Sequence, residues 1–590
     1  MSDNQLAVEV VRGEMQPWSD YSGKRGAVQG PVLRALLDDV LPDGGKTLIV
    51  GPHGADLVEA IIAKGSETTI LLRSVSDATE LTEQFGGNLQ VVAGALDGLA
   101  AADRPRFDVV VAADGLDRVI GYDSDDLNWT QRLEALVAVA APEAVLVLGL
   151  ENEFSLTNLL DRRPADQRHG DDEWRPLHDD PSRPVSTSQF AAALAGAGFA
   201  DAVAYASFAV KETPYALLAA DVAAAARPGQ LPARLAVEAL EASASVVPLL
   251  APVAEGAEAA ARAGLLGATP SGWIAVTGST KHAVYAQTPG HPAVLTSDAA
   301  GEGWSVSVTA AGTADSAGEL RFDADAVPAT VPGGVSAETL LFRLAAAEDV
   351  PAFRDLAARL GDWTRSQSSQ VLPRWDDVVV DGDSFAFGVS PWVTTAEEGK
   401  ADLLAAAWQR FHDRLIGEHR RHPWPPWMVG DDLVSAWLGM SGIEAATPVP
   451  ATTPDTPSAS TEQVARGKVL ANALASVLGI PADASQTPDV RTALADAERA
   501  EHEVFELKGQ IFGLERTLGF RDKALKTRET RIREMRTQVQ KANAERLRLR
   551  NSRAYSAVKL IRQAAQIRNP RKFAGKVKRR VKRQLRNKIG

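Results

Sequence analysis

The chain contains no cysteine in 590 residues. Disulfides, thiolate nucleophiles, cysteine-ligated zinc and sulfur redox chemistry are therefore excluded, and the absence matches a reducing cytoplasm. Long apolar runs are lacking too: no stretch reaches the about 20 residues that a membrane-spanning helix needs. The first residues, Met1 to Gln5, offer neither the basic start nor the apolar core of a secretory signal. Any membrane contact is thus expected to be peripheral. A third absence is local: after Glu545 there is no Asp or Glu, while 17 Lys and Arg follow. Taking those 17 charges from the net charge of -13 leaves -30 on the first 545 residues. An acidic body is joined to a cationic end.

That basic end follows a heptad array. Alternating steps of three and four from Val504 give Val504, Leu507, Ile511, Leu514, Leu518, Arg521, Leu525, Arg528, Ile532, Met535, Val539, Ala542, Arg546 and Leu549. Apolar residues at most of these positions predict a coiled coil over 500–550, and so a homo-oligomer. Beyond it, in 551–590, Phe573, Val577, Val581, Leu585 and Ile589 recur every four residues among Lys and Arg. This spacing predicts a basic amphipathic helix, drawn to an anionic membrane surface by about 1 kcal/mol per cation. The predicted location is the inner face of the plasma membrane. Nucleic acid ranks second as a partner, because Tyr555 and Phe573 alone are too few aromatics for base stacking.

The body is long enough for several cores. Thr47 to Gly51, Thr68 to Arg73, Leu89 to Gly94, Phe107 to Asp114 and Ala144 to Asn152 read as strands, with helix-length segments between them. Strands apolar on both faces and separated by helices predict a doubly wound, Rossmann-like parallel sheet within 1–222. A helix near Ser186 to Gly198 is followed by two runs, Asp201 to Ala209 and Tyr215 to Asp221, expected to close that domain as an antiparallel hairpin. An α+β domain is expected over 223–445, with a hairpin turning at Asp381-Gly382-Asp383. A Thr/Pro/Ser-rich linker at 446–463 and a short helical segment at 464–499 complete the plan.

Gly51-Pro52-His53-Gly54-Ala55-Asp56 follows the first strand, where doubly wound folds meet nucleotide-type ligands. It also reads as a plain strand-to-helix turn. The order of strands, the run Phe107 to Arg118 and the run Ala144 to Asn152 resemble the class I S-adenosylmethionine-dependent methyltransferases over about residues 30–222. Glu151-Asn152, the apolar stretch after it and the turn Leu159 to Pro164 are similar to methyltransferase-like proteins of bacterial, especially actinobacterial, surface-polysaccharide biosynthesis.

The resemblance implies S-adenosylmethionine as cofactor, with Gly51, His53, Gly54, Arg73, Asp97 and Asp114 at its site. It also implies that Glu151 and Asn152 face a glycan or lipid-linked sugar acceptor. Two departures stand against activity: the loop has two glycines rather than three, and the second strand ends in Leu72-Arg73-Ser74, where the family places a ribose-binding carboxylate. Two readings stay open, a methyltransferase and a catalytically inactive coiled-coil scaffold that recruits glycosyltransferases.

Arg374 to Phe385 and Ser390-Pro391-Trp392 resemble the catalytic hairpin of the small-molecule kinase-like fold in degenerate form, since Val389 stands where a metal-binding carboxylate is needed. His169-Gly170-Asp171-Asp172 and His178-Asp179-Asp180 are interrupted by prolines and read as polar loop, so no metal site is expected. Leu549 to Tyr555 is similar to tails on bacterial glycosyltransferases, which points to glycan assembly again. In layout only, the whole resembles the bifunctional chain-terminating proteins of O-antigen synthesis.

Overall fold

The computed structural model describes residues 8–65, 67–102, 104–164, 177, 179–244, 246–247, 249–309, 316–425, 428, 430–443, 459–479, 490–567 and 579. The chain divides into two compact units, Met1–Thr487 and Pro488–Gly590.

The first unit opens with β1 (Glu9–Val10), α1 (Pro31–Val40), β2 (Lys46–Val50), α2 (Ala55–Lys64), β3 (Glu67–Leu72), α3 (Val75–Phe85), β4 (Gln90–Ala93), α4 (Leu96–Ala101) and β5 (Phe107–Ala112). Then come α5 (Trp129–Val139), β6 (Ala140–Glu151), α6 (Leu156–Leu160), α7 (Thr187–Gly196), β7 (Val203–Val210) and β8 (Thr213–Ala219). Local chemistry sets several helix starts. Ser74 caps α3 by accepting from the Asp77 amide, and Asn128 and Gln131 form a reciprocal capping box at α5.

The strands β1, β4, β3, β2, β5 and β6 lie side by side in that order and all run parallel. Both faces are covered, which is why these strands read as unbroken apolar runs. Along β2, Leu48 and Val50 join one core with Leu133 and Phe190, whereas Ile49 joins the other with Leu36 and Leu57.

The closing hairpin forms but does not close the sheet. Between β6 and β7 lies β9 (Gly272–Val276), antiparallel to both, and β8 lies outside β7. The helices α8 (Ala220–Ala225), α9 (Leu231–Ala244) and α10 (Val253–Ala263) precede β9. Beyond it β10 (Val284–Gln287), β11 (Val294–Ala300) and β12 (Gly303–Thr309) extend the sheet from β8. The short β13 (Ser316–Ala317) and β14 (Leu320–Phe322) stand in another sheet, and β15 (Thr330–Val331) ends the large one at 13 strands. The sheet therefore runs straight across residue 222, where the sequence pattern had suggested a new domain. The Ala-rich stretch after β8 changes composition without ending the ladder, because free strand edges invite further pairing.

The rest of this unit comprises β16 (Val335–Ser336), α11 (Ala337–Ala346), α12 (Val350–Ser366), β17 (Val379–Asp381), β18 (Ser384–Ala386), β19 (Trp392–Thr394), α13 (Lys400–Gly417), α14 (Asp431–Met440) and α15 (Ala459–Val477). The hairpin at Asp381-Gly382-Asp383 is present, as β17 and β18. Its surroundings are structural: Asp377 is buried, pairs with Arg234 and accepts from the Val389 and Ser390 amides at 2.9 and 2.8 Å. Trp375, Trp408, Trp437, Phe353 and Phe411 form the aromatic core here. α15 begins inside the stretch expected to be linker and buries Leu470 and Leu474 against Leu403 and Ala406.

In the second unit, α16 (Val490–Arg550) is a single helix of 61 residues that contains the whole heptad array, and α17 (Arg553–Ile567) follows. No described helix is long and apolar enough to cross a membrane. The linker over 446–458 and the apolar repeat from Phe573 onward lie outside the described residues, as do His169 to Asp172 and His178.

A sealed crevice and the pocket beside it

In doubly wound sheets ligands sit outside the carboxyl ends of the strands, at the point where strand order reverses. Here that point lies between β2 and β5, bounded by the loop Gly51–Gly54 and by Ala113–Asp117. The chain's own residues 8–28 lie across it. Val11 donates its amide to Ala93 (2.8 Å), Ala95 donates to Arg12 (3.0 Å), and Met15 donates to Arg73 (2.8 Å). Gly54 then donates to Val28 (2.8 Å), and Val28 to Pro52 (3.3 Å). This strap thus caps the ends of β4, β3 and β2 in turn.

Side chains lock the strap down. Arg73, at the end of β3, donates to Asp20 Oδ1 from Nε (3.1 Å) and Nη2 (2.5 Å), with both residues buried. Trp18 lies 5.4 Å from the Arg73 guanidinium. The Arg118 guanidinium grips Asp114 with two bonds (2.9 and 2.6 Å) and donates to the carbonyls of Asp20, Arg25 and Gly26. Burial pushes the Asp114 carboxyl up, but Arg118 and Arg25 outweigh it and hold the group below the usual carboxylate range. His53 is fully buried, its Nδ1 is 3.0 Å from the Gly51 carbonyl, and burial lowers its pKa, so the ring stays neutral. Tyr21 donates its hydroxyl to the His53 carbonyl at 3.0 Å. Asp97 accepts from Arg12 (2.6 Å) and Ser124 (2.8 Å).

In this structure the residues expected to hold S-adenosylmethionine are engaged by the strap or by one another. Each candidate cofactor residue already has a partner within the chain, and Arg73 meets Asp20 rather than open crevice. The glycines make the same point. A Cβ on Gly54 would stand 2.7 Å from the Gln29 Cβ, and one on Gly98 would stand 2.1 Å from the Arg12 carbonyl oxygen. Gly98 gives room to the strap, and Gly54, read from the sequence as room for a ligand, gives room to Gln29 just beyond it.

Beside the sealed crevice is a cavity of about 470 Å³ at the carboxyl ends of β5 and β6, within the size range of small-molecule sites. Of the residues expected at the cofactor or acceptor site it contains Asp114 and Glu151. Arg25 reaches it from the strap and stands 3.6 Å from both Asp114 and Glu151 and 4.0 Å from Asp117. Lys24, Lys211 and Arg163 bring further positive charge, Asp161 faces Arg163 at 2.7 Å, and Ser207, Ser243 and Ser271 bring hydroxyls. Asn152 serves the fold instead: it is buried, donates to the carbonyls of Ala268 (2.9 Å) and Pro270 (2.8 Å), and accepts from the Phe154 amide (3.0 Å).

Asp20 and Arg25 were missed as site residues, while Asp161 and Arg163 lie in the turn Leu159 to Pro164 that the sequence singles out without a site role. The strap carries no periodic pattern, and its role follows from contacts distant in sequence, such as those of Asp20 with Arg73 and Arg118, 53 and 98 residues away. The one available signal was Arg73 itself, a cation ending an apolar strand, which needs a buried anion.

No family model and no curated protein matches this chain. Solved structures do. One is an S-adenosylmethionine-dependent methyltransferase from Clostridium acetobutylicum (13% identity, 22% of this chain, 52% of that one, TM-score 0.18). Another is the N-methyltransferase NodS from Bradyrhizobium japonicum with S-adenosyl-L-homocysteine (18%, 21% and 59%, 0.17). A third is a putative methyltransferase from Bacillus halodurans (13%, 28% and 68%, 0.21). In the first two, the match spans little more than half of the solved chain.

Proposed function

We propose that this chain is a methyltransferase-fold protein of cell-surface glycan assembly that binds a hydroxyl-rich ligand, a glycan or lipid-linked sugar, without using S-adenosylmethionine. One observation carries the reading. The strap both fills the cofactor crevice and supplies Lys24 and Arg25 to the neighbouring cavity, so removing it would open one site by dismantling the other. Carboxylates, guanidiniums and serine hydroxyls around one polar cavity are donors and acceptors suited to sugar hydroxyls. No nucleophile with an adjacent base is needed for such binding.

The basic residues after Glu545 support a location at the inner face of the plasma membrane, since acidic bodies are repelled by anionic lipid while a cationic end is attracted. Glycosyltransferases are the partners such a scaffold would gather. The similarity of Leu549 to Tyr555 to glycosyltransferase tails supports that pathway.

Isothermal titration of the full chain with S-adenosylhomocysteine separates this reading from the enzymatic one. No heat is expected at millimolar ligand, while saturable micromolar binding would overturn the proposal in favour of a methyltransferase. Ligand-observed NMR with a panel of methyl glycosides tests the cavity, and absence of any transfer signal removes the glycan assignment. Vesicles containing anionic lipid should sediment the full chain and leave a chain ending at Asn551 in solution.

A further inference from the structure

Among the described residues of its unit, α16 presents an exposed apolar seam. Val504, Leu507, Ile511, Leu514, Leu518, Leu525, Ile532, Met535, Val539 and Leu549 are each 45% to 66% exposed. A helix of this length with an exposed apolar stripe needs a partner to bury that stripe. In heptad notation the a positions are 504, 511, 518, 525, 532, 539 and 546, and the d positions are 507, 514, 521, 528, 535, 542 and 549. Val504, Ile511, Ile532 and Val539 put β-branched residues at a, and Leu507, Leu514 and Leu549 put leucine at d. That distribution favours two parallel strands.

The three arginines in the seam identify the partner. In a parallel, in-register pair, the hole that receives a d side chain is bounded by the facing a, d and e residues and the next a. The hole for an a side chain is bounded by the preceding d and g and by the facing a and d. Arg521 and Arg528 at d therefore meet e residues, which are Asp522 and Glu529 of the second copy. Arg546 at a meets the preceding g residue, which is Glu545. Every seam arginine finds a carboxylate at the position that geometry demands. Flanking g-to-e pairs add Glu503 with Lys508 and Glu545 with Arg550, against one repulsive pair, Arg531 with Arg536. An antiparallel pairing centred on this stretch sets e against e, so that Glu515, Asp522 and Glu529 would confront one another.

We propose that α16 docks on a second copy of this chain as a parallel, in-register two-stranded coiled coil, its register set by Arg521, Arg528 and Arg546 facing Asp522, Glu529 and Glu545 across the seam. Parallel pairing brings the two basic ends to the same end of the coil, which doubles the charge offered to one surface.

The natural absence of cysteine makes the test direct. Full-length chains carrying Leu507→Cys or Leu549→Cys alone should each cross-link to themselves under mild oxidation. The two sites lie about 63 Å apart along the helix at 1.5 Å per residue, so an antiparallel pair cannot join both. Cross-linking only between Leu507→Cys and Leu549→Cys chains in a mixture, a monomeric mass by light scattering, or a mass above the dimer would each overturn the proposal. A charge test reads the register. Asp522→Arg with Glu529→Arg should weaken the dimer about tenfold or more. Adding Arg521→Asp with Arg528→Glu should restore it. Failure of that rescue with helix content intact would remove the assigned pairing.

Discussion

Replacing Asp20 by alanine removes a carboxylate bonded at two nitrogens of the Arg73 guanidinium. Arg73 is 1% exposed and Asp20 2%, so neither group has water to fall back on. Breaking a buried ion pair by deleting one partner costs about 3–5 kcal/mol, because the remaining charge stays desolvated. For comparison, the five backbone hydrogen bonds that dock the strap contribute roughly 0.5–1.5 kcal/mol each. The substitution thus approaches the whole backbone contribution to docking. Native-state hydrogen exchange measures this locally, since each amide reports its own opening free energy. The Met15 amide, bonded to the Arg73 carbonyl, should exchange faster by about two to three and a half orders of magnitude, while that of Leu217 in β8 should not change. Asp20→Leu combined with Arg73→Met should recover most of the protection, because apolar replacement of a buried pair is often neutral. An acceleration below about tenfold in Asp20→Ala would show that the pair does not hold the strap, and the sealed-crevice reasoning would fall with it.

Three further expectations are open to measurement. Gly98→Ala forces a Cβ toward the Arg12 carbonyl oxygen and should cost roughly 1–3 kcal/mol in strap docking, seen as faster exchange of the Val11 and Ala95 amides; unchanged exchange would contradict the close approach. Burial pushes the Glu338 carboxyl up to about 8 against the pull of Arg414, which also faces Glu241 and Glu418. The fold then binds more protons than the unfolded chain, so this contribution to stability is complete below the ordinary glutamate pKa and is lost as pH rises through about 8. Glu338→Gln should flatten that slope, followed by denaturant titration of tryptophan emission at pH 5 and pH 8; an unchanged slope would remove Glu338 from the account. Glu151→Gln should weaken methyl glycoside binding several-fold without altering the far-ultraviolet circular dichroism, since it deletes one charged acceptor in the cavity.

Local pattern carried much of the architecture. Continuous apolar runs gave β2 to β6 to within a few residues, because burial on both faces leaves no polar alternation to confuse with helix. The tight turn gave β17 and β18, and the heptad spacing lies within one uninterrupted helix. The position of β9 between β6 and β7 was not legible. Nothing local distinguishes a strand that pairs with its neighbour in sequence from one that returns 121 residues later to Glu151, as Gly272 does. The cavity was half legible: Glu151 and Asp114 stand at strand ends, while Arg25 and Arg163 come from irregular chain.

The same division holds for function. Charge separation, the heptad seam and the glycines and acids at strand ends follow from spacing and composition along one helix or strand. What those positions face depends on contacts between segments distant in the chain. Arg73 became a clamp on Asp20, and the Gly54 loop a bed for residues 26–29, because a buried charge and a bare backbone take whichever partner the fold brings nearest, and here it is the chain's own N-terminal strap.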